Sequence, residues 1–125
     1  MKLSIAILAA ALTVALGYTA YQGRRARLTR DLTVIAHHYS GTNWVMGLVF
    51  VAIVLIEVLI HRLPGIRPPL LWAHLPFAVL FAVLFLTMRF WFTGMRSSLH
   101  RHLAYACLAA YAGALVTGGI TLYRF

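Results

Sequence analysis

The chain has 125 residues, of which 62% are hydrophobic and only 10% charged, against about 25% charged in ordinary soluble domains. A water-soluble fold of this size leaves too much of its surface exposed to hide so much apolar side chain, so a soluble globule is excluded and the lipid bilayer is the expected solvent. The net charge of +9 would suit nucleic acid elsewhere, but no soluble module is present to offer a basic face, so no nucleic-acid partner is expected.

The first apolar window, Leu3 to Tyr18, is short for a bilayer crossing of about 20 residues. Its Met-Lys start and the small residues Ala15 and Gly17 resemble a signal peptide. The reading adopted is an uncleaved helix over about residues 3–20. A basic connector with Arg24, Arg25, Arg27 and Arg30 follows, and then His37 and His38.

The second window, Trp44 to Ile60, predicts a helix over about residues 42–61, closed by His61. Glu57 stands inside an otherwise apolar run, four residues before His61, so the two share a helix face. A carboxylate there could accept the second imidazole N–H of a ligand histidine, or relay protons. It could equally snorkel to the interface or pair with Arg62 or Arg67 in the Pro-rich turn that follows.

The third window, Leu70 to Phe92, predicts a helix over about residues 70–93, with His74 near its start. Pro76 frees the carbonyl near Trp72 and either bends the helix beside His74 or is tolerated as a kink. Phe77, Phe81, Phe85, Met88 and Phe92 form one stripe, read as a lipid-facing or core ridge rather than a cofactor wall. A second basic connector carries Arg96, His100, Arg101 and His102, with Arg89 just before it.

The fourth window, Leu103 to Leu122, predicts a helix over about residues 102–122. Its small residues Ala106, Ala110, Gly113, Ala114 and Gly118 match Ala6 and Ala10 of the first helix, which predicts that these two helices pack together or against a partner. The sole cysteine, Cys107, excludes a disulfide framework and any thiolate pair.

Because no lipid-exposed sheet edge can satisfy its backbone there, the fold class is all-α, an integral membrane four-helix bundle forming one transmembrane domain over residues 1–125. Seven arginines fall on the side of the two basic connectors. The positive-inside tendency makes that side cytoplasmic in a multi-pass protein of the bacterial inner membrane, with both termini and the Pro-rich turn outside.

Six histidines against two acids is the informative imbalance. They gather at helix ends: His61 and His74 on the outer side, His37, His38, His100 and His102 on the inner. Neutral imidazole is a common metal ligand, and two helices can grip heme iron or a copper ion between them. The candidate ligands are therefore His38, His61, His74 and His100. Glu57 would orient a ligand, and Arg62, Arg67 and Arg101 would meet heme propionates. Any one of these histidines could instead be only a polar residue at headgroup level. His38 and His61 are 23 residues apart, roughly 34 Å along a helix, which spaces two hemes poorly for a direct relay.

His74 with Ala78, the run His100, Arg101, Leu103 and Ala104, then Val116-Thr117-Gly118 and Tyr123 resemble the pattern of the CtaM-like membrane proteins. The resemblance covers about residues 35–125; the doubled His37-His38 and the His102 beside His100 depart from it. It implies a four-helix factor acting on heme (b-type or a-type) or copper during maturation or stabilisation of a respiratory heme–copper oxidase, with oxidase subunits as partners. Two alternatives stay open: a small b-type cytochrome passing electrons between the quinone pool and a partner, or a purely structural accessory subunit of a membrane complex. Enzymatic activity is not expected, since no H-E-x-x-H, Gly-rich nucleotide loop or G-x-S-x-G is present and two acids supply little acid–base chemistry.

Overall fold

A computed structural model describes residues 2–62, 68–90 and 98–123; Phe92, Arg96, Arg67 and the side chain of His61 lie outside the described set. Four helices account for almost all of it: α1 (Lys2–Thr29), α2 (Leu32–Arg62), α3 (Pro68–Phe90) and α4 (Ser98–Tyr123). No strand occurs among the described residues. All four helices are long and apolar enough to cross a membrane, and the protein is an all-α four-helix bundle.

Both N-terminal helices outrun the expected spans at the arginine-rich end. Hydropathy marks only the hydrocarbon-crossing part of a helix. Residues from Tyr21 to Leu28 are mostly fair helix formers, so α1 continues through Arg24, Arg25 and Arg27. The expected connector shrinks to Arg30 and Asp31. Arg30 closes α1 in the left-handed region at φ 53°, its N–H donating to the Ala26 carbonyl at 3.0 Å. Asp31 Oδ1 then accepts the Thr33 N–H at 2.9 Å and caps α2.

The bundle is built from two close pairs, α1 on α2 and α3 on α4, facing one another. The small-residue stripe of α4 therefore serves α3, and its direct packing on α1 is slight. Gly113 lies beneath the Phe77 ring and Gly118 against His74. A small residue signals close approach but does not name the partner. α3 runs unbroken through Pro76.

Leu12 and Leu16 of α1, Val45, Val49 and Ala52 of α2, Phe81 and Phe85 of α3, and Cys107, Ala110 and Tyr111 of α4 meet in one core cluster. Phe81 touches Phe85 and Tyr111 at ring-centroid distances of 6.0 and 5.1 Å. Of the aromatic ridge, then, Phe81 and Phe85 belong to the core, while Phe77 is partly exposed. Outside this plug the helices present Val51, Val54, Val79, Leu80, Val83 and Val116 outward, apolar surface that suits lipid and not water. The plug divides the interior into two cavities, one toward each end of the bundle.

Candidate functional site

The larger cavity, about 520 Å³, opens among all four helices at the arginine-rich end. His38 reaches it from α2 and His100 from α4, together with Arg24, Arg27, Arg89 and Arg101. No carboxylate is among the residues lining it. Phe85, Met88, Cys107 and Leu108 give it an apolar floor, with Tyr39 and Tyr105 also in its wall. The extension of α1 and α2 beyond the expected spans makes this possible, because it carries Arg24, Arg27 and His38 on continuous helix.

His38 is held by a close crossing of α1 and α2. A Cβ on Gly23 would stand 3.0 Å from its Cε1 and 3.2 Å from its Nε2, so only glycine lets α1 pass this ring undisturbed. The ring has a backbone hydrogen bond with Thr19, while Nδ1 is buried with no hydrogen-bond partner. Arg89 is steered as well: its Nε donates to Asn43 Oδ1 at 3.1 Å, a second N–H bonds the same oxygen, and the guanidinium lies 4.4 Å over the Tyr39 ring. Of the doubled histidines, His37 is exposed and His102 Nδ1 bonds the Ser98 carbonyl at 2.6 Å. Neither lines the cavity; His38 and His100 do.

The smaller cavity, about 290 Å³, lies toward the opposite end and contains Glu57 and His74. His74 is 7% exposed. Its Nδ1 lies 3.1 Å from the Ala114 carbonyl and 3.2 Å from Thr117 Oγ1, and its Nε2 lies 3.3 Å from Glu57 Oε1. Both ring nitrogens thus face protein atoms, and a metal at His74 would have to displace one of them. Glu57 reaches His74 across the α2–α3 interface, a pairing that the i to i+4 spacing with His61 did not reveal. Arg62 is exposed at the end of α2; the His61 side chain and Arg67 are outside the described residues. Among those described, no three His, Cys, Asp or Glu side chains gather as for a bare metal ion.

Arginine supply is what the sequence reading undervalued. Arg24, Arg27 and Arg89 were read as topology signals, yet they share a cavity wall with Arg101. The signal available was the three-residue spacing of Arg24 and Arg27, which puts both on one helix face.

Fold and cavities together define a four-helix membrane-spanning protein with one cationic, histidine-bearing chamber and one nearly neutral one. Set against family models, curated proteins and solved structures, the chain matches none of them.

Proposed function

We propose that the protein binds heme in the cavity at its arginine-rich end, where His38 and His100 would hold the iron and the guanidiniums of Arg24, Arg27, Arg89 and Arg101 would receive the propionates. One observation carries this reading: two imidazoles from different helices and four arginines line one chamber that has no lining carboxylate. A porphyrin brings four nitrogens of its own and asks the protein for only two. A bare copper ion draws on side chains for most of its ligands, and the described residues offer no such group. The chamber's size falls within the roughly 300–1,000 Å³ of small-molecule sites. Bound heme would supply a redox-active iron. The chain's own residues orient the imidazoles, neutralise carboxylates and keep the ring among apolar side chains.

By the resemblance to the CtaM-like proteins, this heme is held for, or passed to, a respiratory heme–copper oxidase in the bacterial inner membrane, with the arginine-rich end cytoplasmic. The test is a hemin titration of the detergent-purified protein followed in the visible region. The expected result is one equivalent with a low-spin, two-imidazole spectrum, lost or converted to high spin by either His38→Ala or His100→Ala. A spectrum unchanged in both variants, or no stoichiometric binding, would rule the proposal out.

A further inference from the structure

The second cavity is lined by side chains that are apolar with the exception of three. From α1 come Ile5, Ala6, Ala9 and Leu12; the titratable groups facing the space are Glu57 of α2, His74 of α3 and Tyr111 of α4. The Tyr111 hydroxyl is already spent, lying 2.7 Å from Thr13 Oγ1 and 3.2 Å from the Ala9 carbonyl. Glu57 and His74 are therefore the polar feature a ligand would meet.

Their protonation can be worked out from the hydrogen-bond directions. Thr117 Oγ1 donates its hydrogen to the Gly113 carbonyl at 2.7 Å, so toward His74 it can only accept. The Ala114 carbonyl is also an acceptor. Facing two acceptors, His74 Nδ1 must carry a hydrogen. Between Nε2 and Glu57 Oε1, 3.3 Å apart, there must then be one further proton, because a bare lone pair against a bare carboxylate would repel. It resides on nitrogen as an ion pair or on oxygen as a neutral pair. In both states the pair carries no net charge, and it can either donate or accept.

We infer that this cavity is a second binding site, for a neutral, flat, lipid-soluble ligand whose ring oxygen alternates between carbonyl and hydroxyl: the headgroup of an isoprenoid quinone or quinol. Neutrality follows from the pair: an ionic ligand would leave an uncompensated charge among apolar walls. A planar ring is inferred because the walls beside Phe81 are built from the small residues Ala6, Ala9, Ala78, Ala114, Gly118 and Gly119. The volume, at the small end of ligand sites, holds a ring and not a long tail. The pair suits such an oxygen, since it can donate a hydrogen bond to a carbonyl or accept one from a hydroxyl with no proton transferred and no charge created. An ionisable pair inside a membrane span, with His74 buried and Glu57 partly so, is costly and needs a reason of this kind. The inference does not depend on heme at the other end, because the two cavities share no lining residue.

The experiment uses the full chain in quinone-free nanodiscs and an azido-quinone with a ten-carbon tail, with cross-linked residues mapped by mass spectrometry. Labelling is expected on the lining of this cavity, displaced by decylubiquinone and by its quinol, and not by decylbenzene. Glu57→Gln, which cannot share the proton, weakens binding about tenfold, the loss of one good hydrogen bond. Ala6→Phe, which puts a large side chain into the cavity and leaves the pair intact, abolishes labelling. Thermal midpoints confirm that both variants are folded, and His38→Ala labels like the parent chain. Equal displacement by decylbenzene, or labelling of both variants as strong as that of the parent, overturns the proposal.

Discussion

His74 illustrates how a single residue is fixed by competing demands. Buried in a span, an imidazole must satisfy both nitrogens or carry the cost of stranding one. Here α4 supplies acceptors for Nδ1 and α2 supplies Glu57 for Nε2. Replacing either Glu57 or His74 by leucine removes this contact from the other and costs about 1–3 kcal/mol. Replacing both removes the mismatch, so the double variant loses less than the sum of the singles. Reversible unfolding in mixed micelles measures the cycle, and strict additivity would show that the pair is not coupled. Gly118 belongs to the same unit. A Cβ there would lie 3.3 Å from His74 Cε1 and 3.4 Å from Nδ1, against a ring held at both nitrogens and unable to yield. Gly118→Ala is therefore expected to destabilise by about 1 kcal/mol, despite alanine's better helix propensity; a higher unfolding midpoint would refute this.

At the scale of elements, the α1–α2 crossing governs the proposed heme chamber. Gly23 lets α1 pass the His38 ring, and a methyl group at 3.0–3.2 Å from that ring would push it aside. Gly23→Ala should therefore weaken hemin affinity while leaving the helix content seen by circular dichroism intact. A variant with unchanged affinity would mean that His38 is not placed by this contact. The turn joining these helices offers a separate check. Arg30 sits in the left-handed region, where a non-glycine residue costs about 1 kcal/mol, so Arg30→Gly should raise the unfolding midpoint. The number of spans was legible in the sequence, because hydropathy reads lipid exposure directly. Helix ends were not, since Tyr21 to Thr29 are polar enough to end a span yet still helical. Packing partners were also hidden: Gly113 and Gly118 declare a close approach, but only the fold says that Phe77 and His74 fill it. His38 and His100 were legible as candidates. The arginine wall around them was not, because Arg24, Arg27, Arg89 and Arg101 lie on three helices whose register no local pattern gives.

For the whole molecule, charge and cavity position are one question. Arg24, Arg25, Arg27 and Arg30 at the end of α1, Arg89 at the end of α3 and Arg101 at the start of α4 should hold that end in the cytoplasm, which places the proposed heme chamber on the side where its arginines are gathered and the Glu57–His74 cavity nearer the opposite face. Tyr18, Tyr21, Tyr39, Trp44 and Tyr105 are all exposed toward the arginine-rich end, as an interfacial aromatic belt requires. Accessibility of single cysteines tests the orientation, and the native background is favourable, since Cys107 is buried and should resist a membrane-impermeant maleimide. In intact spheroplasts Ser4→Cys, near the N-terminal end of α1, is expected to label. Thr29→Cys, at the arginine-rich turn, is expected to label only after permeabilisation. The reverse pattern would turn the molecule over in the membrane and put both chambers on the opposite faces, while leaving their chemistry as it is.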